Sequence, residues 1–240
     1  MSVLIPFVQL EFAGSVGLPE GRYRAASDRG ERVLIVQVIG APRPTRRGRR
    51  RPRAVDPADP DQVSLTRLTV AGADRLRDRD EAAGWLDRAT GSAEARAAEV
   101  RAATATINLA LSALRAAARD PLVHEIGATR ALAIRIGYGA GEELAEGRWS
   151  EARELPPPKR GRLDDVDPQA QVAAVLAGRE RVHPAETLLQ RARLDLALGR
   201  LDEARYGQRA AAAAARDGAD DDLRTRVEKL AVEIEEATAR

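Results

Sequence analysis

The chain contains no cysteine, which removes disulfide frameworks, thiolate zinc sites, iron–sulfur ligation and thiol nucleophiles together. It has two histidines and one methionine, and aromatic residues make up only 3% of it. A core must therefore be assembled from Ala, Leu, Val and Ile, a mixture that suits close-packed helices better than a large sheet. Lys159 and Lys229 are the only lysines, so nearly all positive charge is arginine, and the net charge is +2. With the overall charge this small, only a local cluster of arginines can carry an electrostatic function. No run approaches the ~18 consecutive apolar residues of a membrane span. The apolar opening, residues 3–12, lacks a basic start and a small-residue cleavage pattern and contains Gln9 and Glu11, so it does not read as a signal peptide. The expectation is a cytoplasmic protein without membrane contact.

What is present divides into a strand-like front and a helix-like remainder. The run Val33-Leu34-Ile35-Val36-Gln37-Val38-Ile39 is dense in β-branched residues and bounded by Gly30 and Gly40, the pattern of a largely buried strand. In residues 4–12, Val8, Leu10 and Phe12 alternate with Gln9 and Glu11, which predicts one face turned to water. A short strand around Tyr23 and a fourth over residues 64–70 complete a small antiparallel sheet. Between the third and fourth strands, residues 41–63 replace every core-forming type with Pro, Arg and Asp, a disordered loop by composition.

From about Asp80 the apolar period changes from two to 3.6. A short helix is expected over 81–88 and a long one from an N-cap at Ser92 through Arg119, with Asn108 out of character in its middle. Asp120-Pro121 reads as the start of a further helix ending near Gly137, and residues 142–153 as another, interrupted at Gly147. Pro156, Pro157 and Pro158 open a linker to Asp167. Beyond it, residues 169–177, 185–198, 201–216 and 220–239 read as four helices separated by Gly178, Gly199 and Gly218. The expected organisation is an antiparallel β module over 1–72, a central helical region over 73–155, a linker over 156–167 and a helical bundle over 168–240. The fold class expected is α+β and mostly α, the β module being small.

Residues 184–218 resemble a tetratricopeptide repeat, a helical hairpin used for partner binding. Leu188 stands at the family's large position in the first helix and Ala192 at its small one. Gly199-Arg200-Leu201-Asp202-Glu203-Ala204 matches the turn into the second helix, and Ala211 a later small position. The family's aromatic positions carry Asp195 and Gln208, and its closing Pro is missing. The resemblance covers about one repeat and implies a protein-binding surface.

Chemical motifs are sparse. Residues 131–141 form an apolar run entering Gly137-Tyr138-Gly139-Ala140-Gly141, which resembles the first motif of S-adenosylmethionine-dependent methyltransferases; that resemblance would place cofactor contacts at Gly137, Gly139 and Gly141. Arg135 occupies the family's acidic position, and a helix end followed by a glycine-rich turn is the competing assignment. His124-Glu125 opens like a zinc-protease helix, but Ala128 stands where the second His belongs, and His183 is isolated. The acids at 164, 165 and 167 and at 220–222 lack the spacing of a calcium loop. No catalytic residue, cofactor or metal ligand is therefore assigned.

The remaining feature is Arg43, Arg46, Arg47, Arg49, Arg50, Arg51 and Arg53, seven arginines in eleven residues. Such a segment can engage nucleic-acid phosphates, and without interleaved aromatics the binding would be sequence-tolerant. The sequence is thus read as a non-enzymatic protein-interaction or scaffolding protein. The alternative is a nucleic-acid-associated protein using the Arg-rich loop, and the third is a methyltransferase-like enzyme. Ala-rich stretches such as 210–215 also permit a homo-oligomer.

Overall fold

The structure is a computed structural model that describes residues 3–27, 30–40, 64–72, 74–156 and 168–239. The chain divides into two units, residues 1–160 and 161–240.

In the first unit, strands β1 (Leu4–Ala13), β2 (Gly21–Ser27), β3 (Gly30–Ile39) and β4 (Leu65–Ala71) are joined by β5 (Ala133–Ala140) and β6 (Glu151–Leu155). They form one six-stranded sheet in the order β2-β3-β4-β1-β5-β6, antiparallel throughout. The expectation of a small β module ahead of a helical region is overturned: the sheet is large and reaches Leu155. Residues 120–137 are not a helix. Asp120 instead closes a turn, its Oδ1 accepting the Leu122 N–H at 2.9 Å. The chain then passes through a 3-10 turn, Ala128–Arg130, into β5. The physical reason is the alternation of Ile134, Ile136 and Tyr138, all buried, with Arg135 and Gly137, a period of two. The helix expected over 142–153 shrinks to α3 (Gly141–Ala145), and the chain returns as β6.

One face of the sheet carries the main core. Val8, Leu10, Leu34, Val36, Leu68, Val70, Ile134 and Ile136 pack with residues of α1 (Arg79–Thr90) and α2 (Ala93–Ala118), among them Leu86, Ile107 and Leu111. Both helices begin at side-chain caps: Asp78 accepts from the Glu81 N–H and Ser92 from the Ala95 N–H, each satisfying an otherwise orphan donor.

Asn108 explains its own oddity. Buried within α2, its side-chain nitrogen donates to Ile126 O at 3.0 Å and its oxygen accepts from Ile126 N at 2.8 Å. The amide behaves like a strand partner and ties the irregular segment after α2 to the helix. Arg115 reinforces the tie through Val123 O and the Glu125 carboxylate.

The second unit comprises α4 (Pro168–Leu176), α5 (Pro184–Ala197), α6 (Leu201–Ala214) and α7 (Asp221–Thr238). The α7 stripe Leu223, Val227, Leu230 and Ile234 is buried against Ala185, Leu189, Ala192, Ala204 and Ala211. α5 and α6 form a hairpin of unusually close approach: a β-carbon at Gly207 would lie 3.0 Å from Ala192 Cβ. His183 caps α5, its Nδ1 accepting the Ala185 N–H. The ring proton then sits on Nε2, which donates to Asp217 O at 2.9 Å.

Replacing Asn108 by Ala strips partners from two backbone groups of Ile126 and is expected to cost about 2–4 kcal/mol, whereas Leu109→Ala on the exposed side should stay within about 0.5 kcal/mol. Trp85 and Trp149, the only tryptophans, both lie in the first unit, so urea unfolding followed by tryptophan fluorescence reads this unit selectively.

Candidate functional site

The seven arginines at 43–53 lie outside the described residues, as do the acids at 164, 165 and 167. The glycines at 137–141 are placed, but not as a cofactor loop. Gly137 and Gly139 are inside β5 and Gly141 begins α3. A β-carbon on Gly137 would collide with Glu151 O and lie 2.7 Å from Ala152 Cα, and one on Gly139 would lie 3.1 Å from Trp149 Cα. The space these glycines leave is filled by the chain's own return into β6, in an antiparallel rather than a parallel setting. Asp220 caps α7 through the Leu223 N–H at 2.7 Å, while Asp221 and Asp222 pair with Arg224 and Arg226. Among the described residues no group of three His, Asp or Glu side chains could hold a metal ion, and no helix is long and apolar enough to cross a membrane.

Among the described residues, a linked set of buried charged groups lies on the second face of the sheet. Alternation puts Gln9 and Glu11 of β1, Gln37 of β3, Arg67 and Thr69 of β4 and Arg135 of β5 on that face. Glu11 Oε1 receives Arg67 Nε at 2.8 Å and Arg135 Nη1 at 3.1 Å. Arg135 also pairs with Glu154 at 2.8 Å and donates to Gln9 Oε1, and Gln9 in turn donates to Thr69 Oγ1. The segment from α3 to β6 lies over this layer: Gln37 donates to Ala145 O, and the Arg135 guanidinium sits 5.6 Å from the Trp149 ring centre. Gln9 and Glu11, expected to face water, are therefore buried. Two arginines are matched by two glutamates with their hydrogen bonds directed, and no nucleophile stands beside a base. Chemically the layer is a clasp that fixes β5 and the α3–β6 segment to β1.

On the opposite face, the Tyr138 hydroxyl donates to Glu151 Oε2 at 2.7 Å. That hydrogen bond to the carboxylate, with burial, raises the phenol above its ordinary range. The nearby Arg79 and Arg153 cations act in the opposite sense but do not outweigh it, so the hydroxyl stays a donor.

In the C-terminal unit, the two positions that depart from the tetratricopeptide pattern are polar ties. Asp195 is buried beside Arg200 at 2.7 Å and Arg191 at 3.2 Å, and Gln208 donates to Val227 O at 3.3 Å. Arg226 joins α7 to α5 through Glu186 at 2.6 Å. α4 differs from these helices. Its nine residues, Pro-Gln-Ala-Gln-Val-Ala-Ala-Val-Leu, carry no charge, and Val172 and Leu176 are 56% and 82% exposed. Four residues apart, the two share one side of the helix. Nearby in sequence Val182 is exposed, as is Tyr206 on α6.

Comparison with protein-family models, with curated proteins and with solved structures finds no match.

The paired Arg226 holds the Glu186 carboxyl below its ordinary range. A depressed folded value means that the pair's stabilisation is present above the unfolded carboxyl pKa and is lost as pH falls through the folded one. Thermal unfolding by circular dichroism should therefore show Glu186→Gln less stable than the parent at neutral pH, with the difference closing in acid.

Proposed function

We propose that this chain is a non-enzymatic protein-interaction protein, a scaffold whose C-terminal helical unit holds a partner protein. The observation that carries this reading is α4. An uncharged helix with two large apolar side chains exposed on one side gains little from water and would gain about 1.5–3 kcal/mol for each side chain fully buried against a partner. The exposed Val182 and Tyr206 extend the apolar supply of the same unit. The partner that suits α4 offers an apolar strip or groove of one or two helical turns, the helix-in-groove mode of recognition. The arginines at 43–53 would add an electrostatic contact to an acidic partner. The cytoplasm suits such a protein, since a cysteine-free fold loses nothing in a reducing compartment.

In the first unit Glu11, Arg67, Arg135 and Glu154 pair with one another, and the glycine run is packed by its own backbone, which favours this reading over a methyltransferase-like one. The test compares the full chain with a Val172→Asp, Leu176→Asp variant as bait in an affinity capture, after circular dichroism has confirmed that both fold. A partner retained by the parent and lost by the variant, and then bound again when purified, is expected. Equal retention by both would overturn the assignment to α4. A salt series against duplex and single-stranded nucleic acid, with the seven arginines replaced by Ser in a second variant, separates the alternative. Salt-sensitive binding that the substitution abolishes would transfer the function to the arginine segment.

A further inference from the structure

The first unit contains a concave feature whose lining residues include none from the C-terminal helices. A cleft of about 80 Å³ lies where the ends of β1, β3 and β4 meet α1 and α2, lined among others by Pro6, Arg32, Gly72, Asp74, Trp85 and Glu99. One water requires roughly 10–15 Å³ of such space, so the cleft has room for several waters or for one molecule of a few heavy atoms.

Its decisive member is Arg32. The residue is only 9% exposed. Nη1 donates to Ala102 O at 3.0 Å and, at 3.4 Å, to Thr106 Oγ1. These bonds go to a backbone carbonyl and a hydroxyl rather than to a carboxylate. A guanidinium carries five N–H donors in a fixed fork, and burying it without an opposite charge is costly. The donors not used on α2 belong to a side chain that lines the cleft. The matching ligand group is a carboxylate, whose two oxygens fit the fork. A simple anion is a poorer fit, because the Asp74 carboxylate lines the same cleft and would repel a second net negative charge. The Trp85 indole adds an apolar wall.

We propose that this cleft binds a small zwitterion, a carboxylate with an amine a few atoms away, the carboxylate at Arg32 and the ammonium toward Asp74 at the exposed rim. Glycine and β-alanine are the probes of that class, and acetate and ethylammonium supply each half alone.

Two tryptophans give two indole N–H resonances in a ¹H–¹⁵N spectrum of the full chain, and Trp149→Phe assigns them. Titration with glycine or β-alanine should move the Trp85 resonance saturably and leave Trp149 in place, with acetate and ethylammonium each binding more weakly by at least about threefold. Arg32→Gln should weaken binding by more than about tenfold. Since that substitution also removes contacts to α2, Asp74→Asn, at an exposed position, serves as the second variant and should weaken zwitterion binding by about threefold while leaving acetate binding no weaker. The proposal is overturned by a Trp85 resonance that does not saturate with either zwitterion, by acetate binding as tightly as glycine, or by an Asp74→Asn variant that binds as the parent does.

Discussion

A ten-residue strand with neighbours on both sides must satisfy its hydrogen-bonding groups and place each side chain by register alone, and β1 is under that constraint. It pairs with β4 on one side and β5 on the other, so it joins strands from before residue 72 to strands from after residue 132. A shift of one residue would exchange its faces: Val8 and Leu10 would leave the core shared with α1 and α2, and Gln9 and Glu11 would enter it. Glu11 guards against such a shift, because its carboxylate meets Arg67 from β4 and Arg135 from β5 only in the observed register. Buried ion pairs of this kind contribute little net stability, but removing one partner leaves an uncompensated charge. Their value lies in selecting one arrangement of the sheet.

The same constraint explains the layer built on top. Once Arg135 is fixed on Glu11, its guanidinium offers a surface to Trp149, and Trp149 packs at 6.0 Å from Phe7. Gly147, with φ of +77°, lets the chain turn between α3 and β6 while lying against Arg67 and Gln37. The short β6 then completes the sheet. The two edges, β2 and β6, carry Arg22, Arg24, Glu151, Arg153 and Glu154, charges that discourage pairing with a further strand. The first unit still exposes single apolar side chains such as Leu122 and Leu132, whereas on α4 of the other unit two such side chains share one side of an uncharged helix.

Legibility in the sequence followed the range of the deciding interactions. β3 is dense in β-branched residues, and α7 repeats Leu223, Val227, Leu230 and Ile234 over consecutive turns with Asp220 as its cap; both patterns are local and both were readable. β5 was not. Its alternation covers only Ile134, Ile136 and Tyr138 amid alanine and glycine that suit several conformations, and its partner Gln9 lies 126 residues away from Arg135. Asp120-Pro121 imitates a helix start, and only tertiary pairing turns the following residues into a strand. The burial of Gln9 and Glu11 was hidden for the same reason, since the cover comes from residues 141–150. Asn108 did announce itself as a polar residue misplaced in a helix. Arg32 gave no signal, because one arginine among many becomes unusual only when the fold buries it with its bonds directed to a backbone carbonyl and a hydroxyl rather than to a carboxylate.

The antiparallel union of β1 with β5 carries the fold, the clasp and the packing of the glycine run, and a nuclear Overhauser experiment on the labelled full chain tests it most directly. Contacts between backbone protons of Val8 and Ile136, register partners, together with slow amide exchange through residues 133–140, are the predicted result. Sequential helical contacts through 121–137, with no contact to residues 4–13, would contradict it.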